Sequence, residues 1–545
     1  MKKTVVWLLV LVLAFGALLS GCGQSKGNGE ETKDSNGRFV ISVAMPNADN
    51  ETWGNDDYYR YITDKIGITI DFKALSGASA SEKARITILS GDMADVTYCD
   101  FIMDEYLKYG KQGIVKALPE DWEEKYPNLG FSMAMTGMLD ELKAAGDNKI
   151  YGLVRPMDRY HDFLAEFRQG YSEGKNISDM MSIQKYRHID KYGFAYRKDW
   201  AEQLGIKVDK IMTYDAFMDM ARKFKEADLG NVGADNTVAI AVDHTEAPNI
   251  FVTAFNSSYK FFHKDENGKY VCGFLEDSTT EGLKAYKEAY TSGLLAKDFY
   301  TQKAQNLNGL FCAQRSGIIF PRGEFTAIRK LNTEFEKANP GLKATDCIDV
   351  CWIVSPDGKV HGREESNFYG GYYFNPDMSD EKFAKVLELA DYVSSEEGGP
   401  QIKLGVPDKD FKIENGEYII TREKTEDGNF VDVATLYPSY GFFAYFINPQ
   451  YKVQIESDPY ATTLQNDLLK AKKEYELSLL NRDVVRDCYS AEDYNKFRAT
   501  YDVNNMFAEL VVSDEDIETA WAKKKDEFRA TAESIAANMN EALLK

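Results

Sequence analysis

The sequence predicts an α/β protein built as two lobes, and three observations lead there. Beyond an apolar leader the 545-residue chain keeps about 500 residues, more than one ordinary hydrophobic core organises. Strand-like and helix-like segments alternate along that length, the pattern of sheets covered by helices. No strong linker divides the chain, so it is expected to pass between the lobes more than once. Hydrophobic residues are 44% of the chain and aromatics 13%, enough for a large core. The high aromatic share, 33 Tyr and 31 Phe, serves packing first and leaves rings that can line a cleft.

The elements follow in order. Lys2 and Lys3 precede an apolar run from Val5 to Leu19, and then come Ser20, Gly21 and Cys22. A basic start, an apolar stretch shorter than the roughly 20 residues of a membrane span, and small residues at its end read as a secretory signal over 1–21. The segment resembles the lipobox of bacterial lipoproteins. That resemblance implies Cys22 as the lipidated new N-terminus, tethering the chain to the outer face of the cytoplasmic membrane; the alternative is an uncleaved N-terminal helix. Residues 22–37 carry no aliphatic or aromatic residue after Cys22, so a flexible tether is expected. The folded body is expected from Arg38, where Phe39 to Met45 is strand-like. Ile68 to Phe72 alternates as a strand, Ser81 to Leu89 reads as a helix, and Val96 to Tyr98 as a short strand. Thr213 is placed to cap a helix bearing Phe217, Met220, Ala221 and Phe224. Val238 to Val242 and Gly317 to Phe320 are strand-like, and Leu283, Tyr286 and Tyr290 repeat at helical spacing. Ser379 begins an amphipathic helix through Val393, and Ser513 with Asp516 resembles a capping box before the final helical segment.

The charge and motif content narrows the function. A formal net charge of -22 argues against nucleic acid, whose phosphates require clustered Lys and Arg, and gives no electrostatic help on anionic lipid. It leaves the charge of a ligand open, since a cleft can differ from the surface average. The cysteines beyond Cys22, at 99, 272, 312, 347, 351 and 488, show no framework spacing and read as mostly free, buried thiols. Phosphate-loop, dinucleotide, nucleophile-elbow and zinc-protease motifs are absent from the sequence. No two of the five histidines have the spacing of zinc ligands on one helix. Asp265-Glu266-Asn267-Gly268 has the look of a calcium loop, but its glycine falls too early, and a hairpin turn fits better. The expectation is therefore no catalytic residue, no metal ligand and no cofactor, with a structural calcium ion left open. A pair of catalytic carboxylates cannot be picked from 87 acidic residues.

Several segments then become recognisable: Leu89-Ser90-Gly91-Asp92-Met93-Ala94-Asp95-Val96, Leu118-Pro119-Glu120-Asp121-Trp122, Lys149-Ile150-Tyr151-Gly152-Leu153 and above all Tyr196-Arg197-Lys198-Asp199-Trp200. In this order they resemble the family 1 extracellular solute-binding lipoproteins, the LplA-like group. Ala94 departs from the usual proline, and 161–189, with Met180-Met181, looks inserted. The resemblance implies a two-lobed periplasmic-binding-protein-like fold of the cluster II type, lobes joined by several crossovers. It also implies an ABC import permease as partner and an oligosaccharide as cargo. On this basis 38–155 and about 325–375 are expected to form lobe 1, and about 156–324 and 376–545 lobe 2. A monomer that does not act as an enzyme is expected; the alternatives are a surface-anchored glycan hydrolase or lyase, or a binding protein for a peptide or other small organic solute.

Sugar recognition calls for aromatic platforms and planar polar groups at strand ends. Trp53, in a polar loop after the first strand, is the first candidate, with Asn55 beside it; the alternative is that Trp53 folds back on its lobe. Tyr98 and Asp100 follow the short strand after the Ser90-Gly91-Asp92 turn, the alternative being a core ring and a helix cap. Tyr196 precedes the Arg-Lys-Asp-Trp turn. Arg322 follows a buried strand, the alternative being a salt bridge with Glu324 or a neighbour. Tyr369, Tyr372 and Tyr373 form a glycine-broken cluster that equally suits a hinge or bulge.

Overall fold

A computed structural model describes residues 32–542 apart from 47, 49–50, 76–79, 158–159, 161–162, 184, 187–188, 364–365, 426–429, 448–457 and 481–491. The leader, Cys22 and most of the expected tether lie outside the described residues, as does Cys488. The body starts earlier than expected. Val40 N–H donates to Thr32 C=O, and the Asp34 carboxylate accepts from Asn36 N, Arg38 N, Arg38 Nε and Thr69 Oγ1. Residues 32–37 therefore belong to the fold, a turn that a hydrophobicity count cannot register.

Sixteen strands occur among the described residues. In chain order they are β1 (Phe39–Pro46), β2 (Ile68–Leu75), β3 (Val96–Cys99), β4 (Leu153–Pro156), β5 (Phe194–Arg197), β6 (Ile211–Thr213), β7 (Val238–Ala241), β8 (Phe262–Lys264), β9 (Tyr270–Cys272), β10 (Ser316–Ile319), β11 (Ile348–Val354), β12 (Val360–Arg363), β13 (Phe368–Phe374), β14 (Phe411–Glu414), β15 (Glu417–Ile420) and β16 (Leu477–Leu480). Two five-stranded sheets form, β2-β1-β3-β13-β4 and β6-β11-β5-β10-β7. In the first, β1 is parallel to β2 and β3, and β13 runs antiparallel between β3 and β4. In the second, β5 runs antiparallel between β11 and β10, which are parallel to β6 and β7 respectively. Each sheet is the centre of its own hydrophobic core, as two lobes require.

Local chemistry explains the helices. Thr213 Oγ1 accepts from Ala216 N and caps the helix Tyr214–Ala227; Ser379 caps Asp380–Ser394 in the same way. At the C-terminus the capping box is not formed. Ser513 ends the helix Val503–Val512, and it is Asp516 that accepts from Thr519 N at the start of Ile517–Ala542.

The lobe boundaries need correcting. The helix Phe325–Ala338 and strand β11 were expected in lobe 1, but Ile328, Leu331, Phe335 and Trp352 pack in the second core. The segments 156–186 and 376–447 were expected in lobe 2, but Phe167, Met181, Phe383, Val386 and Phe443 pack in the first. The first lobe thus comprises about 32–186 and 368–447, the second about 189–354 and 459–542. Amphipathic helices of either lobe read alike; only the strand each one covers distinguishes them. The apparent insertion is two helices, Leu164–Ser172 and Ile177–Ser182, that bury Phe167, Ile177 and Met181 in the first core.

Candidate functional site between the lobes

In an open sheet, ligand groups gather beyond the carboxyl ends of the parallel strands. In the first lobe that edge is where β1, β3 and β4 end and antiparallel β13 begins. In the second it is where β6, β7, β10 and β11 end and β5 begins. The crossovers join these two edges. Chain leaving β11 returns through β12 to enter β13, and chain entering β5 passes Ile189 and Asp190. Across the junction the Lys473 ammonium lies 5.6 Å from the Phe163 ring.

Tyr369 stands at the first lobe's edge and is 56% exposed. It is the ring of the Tyr-Gly-Gly-Tyr-Tyr segment that is free to meet a ligand. The next residue, Gly370, has φ +67 and passes so close to Tyr98 that a Cβ there would lie 2.2 Å from its hydroxyl. Asp100 is half-buried beside it. It caps no helix, because the following helix Met103–Lys111 begins after Ile102 with no side-chain cap. Arg155, 6% exposed at the end of β4, is close enough for its charge to favour the Tyr98 phenolate, although burial dominates and pushes the Tyr98 hydroxyl well above the usual tyrosine range. Buried Asn367 holds the edge together, accepting from Tyr160 Oη and donating to Met181 Sδ.

The second lobe's edge centres on Trp352, 2% exposed. A small cavity of about 20 Å³ lies here, lined by Tyr192, Asn249, Tyr259, Lys260, Trp352 and Gly362 among others. Asn249 bridges, accepting from Tyr259 Oη and donating to Glu246. Beneath it Lys472, fully buried, donates to the carbonyls of Asp190 (3.1 Å) and Tyr192 (2.5 Å), stands 3.5 Å from the Asp190 carboxylate and lies over the Trp352 ring. Arg322 sits farther along this edge and does not meet Glu324, whose carboxylate caps the helix Phe325–Ala338. Its Nε and Nη2 both donate to Asn308 Oδ1, and Asn308 in turn donates to Glu334. Burial lowers the Arg322 pKa, and the charges of Glu334 and Asp243 oppose that. Arg322 Nη1 donates to the Pro321 carbonyl, so of the five guanidinium N–H groups two remain for a ligand.

Five of the expected site residues are placed otherwise. Tyr372 and Tyr373 are 1% and 2% exposed: Tyr372 packs edge-on against Tyr98 and Phe446, and Tyr373 against Tyr109 on the other face. Tyr196, 4% exposed, lies toward the far end of β5, its hydroxyl 3.5 Å from Asp349 at the start of β11. Tyr98 is likewise a core ring. Trp53 leans back on its lobe, edge-on to Phe72 at 5.1 Å and against Gly441, while Asn55 is exposed and its carbonyl accepts from Arg60.

No protein-family model matches the chain. The polygalacturonan/rhamnogalacturonan-binding protein YtcQ of Bacillus subtilis (strain 168) is 22% identical over 326 residues, 58% of this chain and 57% of that protein. Lipoprotein LipO of the same organism is 23% identical over 250 residues, 44% of this chain and 48% of that protein. The matched region thus spans about half the length of these curated relatives. Among solved structures, an HMO-binding, ABC-transporter-associated solute-binding protein of Bifidobacterium longum infantis superposes with TM-score 0.62 at 14% identity, covering 93% of this chain and 98% of that one. Alginate-binding protein AlgQ2, without calcium ion, gives 0.60 at 15%, covering 92% and 97%. The Streptococcus pneumoniae protein FusA in complex with kestose gives 0.59 at 17%, covering 92% and 98%.

The chain has the two-lobed fold of the solute-binding proteins.

Within that solute-binding fold, the segments that carried the resemblance are structural. Asp95 Oδ2 accepts from Ser42 N, Ser42 Oγ and Lys382 Nζ, tying β1, β3 and the helix Asp380–Ser394 together. Arg197 is 2% exposed, bound by two hydrogen bonds to Asp199 and stacked between Trp200 and Phe335. Asp265 makes the hairpin between β8 and β9, accepting from Asn267 N and Lys269 N. No group of three or more His, Cys, Asp or Glu is placed to hold a metal among the described residues. The five described cysteines beyond Cys22 are free and buried; burial raises the thiols of Cys99 and Cys272 to about 12. Sequence reasoning missed Tyr192, Asn249, Arg155 and Trp352. Arg155 alone carried a positional signal, next to the last residue of β4; Tyr192 precedes β5, Asn249 lies in the helix Ala247–Phe251 and Trp352 is inside β11.

Proposed function

We propose that this chain is the lipid-anchored receptor of an ABC importer, capturing an oligosaccharide between its lobes and presenting it to the permease. The observation that carries the reading is the pairing of two sheet edges across three crossovers. One edge offers the open Tyr369 ring with Asp100 and Arg155. The other offers Arg322, Tyr192 and the Asn249–Tyr259 pair. An exposed ring against a sugar's C–H face, with carboxylate and guanidinium groups for its hydroxyls, is chemistry that holds a saccharide. The likeness to proteins named for polygalacturonan, alginate and kestose supports it. Lipidation at Cys22, export to the outer face of the membrane, a monomeric state and a role in delivery without catalysis complete the proposal. Asp243 and Glu246, carboxylates near this edge, are engaged by Thr245 and Asn249, a structural duty in keeping with binding.

The test is a thermal-shift screen of neutral and acidic oligosaccharides, followed by small-angle scattering of the best hit. Stabilisation with a smaller radius of gyration is expected, because a closing clamp buries its ligand. A panel with no stabilising sugar, or an unchanged radius at saturation, would overturn the reading.

A further inference from the structure

The first lobe carries a second cavity, away from the sheet edges, beneath the hairpin of β14 and β15. It measures about 340 Å³ and is lined by Tyr61, Gln401, Asp408, Phe411, Lys412 and Tyr418 among others. That volume falls in the roughly 300–1,000 Å³ range of small-ligand sites.

The polar groups have a fixed sense. Gln401 is 4% exposed. Tyr392 Oη donates to Gln401 Oε1 at 2.9 Å. The Gln401 carbonyl is thereby occupied, and its amide NH₂ is the end left for the cavity. At the mouth, Asp408, held at φ +62, exposes a carboxylate and Lys412 an ammonium. Tyr418, 40% exposed, presents an open ring braced edge-on by buried Phe411 at 5.8 Å.

We propose that this cavity is a second saccharide site, separate from the cleft, holding one neutral sugar ring. Amide donors inside, a carboxylate acceptor at the rim and an open phenol ring match a pyranose, whose hydroxyls give and accept while its C–H face stacks. Neutrality follows from the surroundings. Glu396 and Glu397 on the same wall are paired with Arg168 and Lys65, and Asp408 balances Lys412, so the wall offers a uronate carboxylate no surplus of positive charge. The site stands whether or not the cleft takes an oligosaccharide.

The experiment is saturation-transfer NMR on the purified full chain with glucose, galactose, N-acetylglucosamine and, as the acidic control, glucuronate. Saturable millimolar binding of at least one neutral sugar is expected, with glucuronate inert. Tyr418→Ala and Asp408→Asn change surface groups, and Asn tolerates a positive φ, so folding should survive; a melting curve checks it. Each should weaken binding about five- to tenfold, and Tyr369→Ala in the cleft should leave it unchanged. Absence of saturation by all three neutral sugars, equal binding of glucuronate, or binding that survives both cavity variants and is lost in Tyr369→Ala overturns the proposal.

Discussion

Replacing Tyr369 with alanine tests the cleft most directly, because its ring is open where its neighbours are not. An aromatic side chain presents roughly 150–250 Å² for burial. With 56% of Tyr369 exposed, about 100 Å² of ring remains for a ligand to cover. At roughly 25 cal/mol per Å² that surface is worth about 2–3 kcal/mol, or about 30- to 150-fold in Kd. The free protein loses little, since the ring is not part of the core; its unfolding free energy should move by less than about 0.5 kcal/mol. Tyr372→Ala is the contrast: with that ring 1% exposed, about 3–5 kcal/mol of stability should go. Titration calorimetry with the oligosaccharide found by thermal shift, and urea unfolding of the same preparations, read both quantities. Unchanged affinity in a folded Tyr369→Ala protein would remove the platform from the site and refute the reasoning.

Other perturbations bear on separate features. Lys472→Met should cost about 3–5 kcal/mol in chemical denaturation, because it removes a fully buried cation from beside Asp190 and frees two carbonyls; a loss under about 1 kcal/mol would show that the pair is dispensable. Glu276 is part-buried, and burial raises its pKa, but hydrogen bonds from His263 and Asn256 outweigh this and hold it below the usual glutamate value. Its contribution is therefore present above about pH 4.5 and lost as pH falls through the lowered folded value, so Glu276→Gln should flatten the acid limb of the stability curve; an identical acid limb would contradict this. Cys22→Ala should abolish incorporation of labelled fatty acid, and label in the variant would exclude Cys22 as the acceptor.

What could be read in advance was local. Thr213 and Ser379 cap their helices because a hydroxyl three residues before a free N–H suffices, and strands such as Val238–Ala241 declare themselves by composition. Assignment to lobes was not legible. The apolar stripe of Asp380–Ser394 would suit either core, and only the return of the chain through β13 decides. The aromatic cluster at 369–373 shows the same limit. Strand β13 is covered on both faces, so Tyr372 and Tyr373 are core on opposite sides, and only Tyr369, at the strand's beginning, reaches the edge. Trp352 was passed over because Cys-Trp-Ile-Val reads as an ordinary buried strand, and most of the residue is one.

The place of β13 bears on biogenesis. β4 has no partner in its sheet until β13 arrives between it and β3, about 210 residues later in the chain. At a synthesis rate of roughly 5–20 residues per second, the ends of β3 and β4 wait about 10–40 s with bare backbone edges, the kind of surface that recruits foreign strands. A chain of this layout gains by being kept extended until Phe374 has been made and then folding as a whole. The same discontinuity means that neither lobe can be cut out as one continuous fragment; expressing the first lobe alone calls for a circular permutation or an artificial join across 187–367.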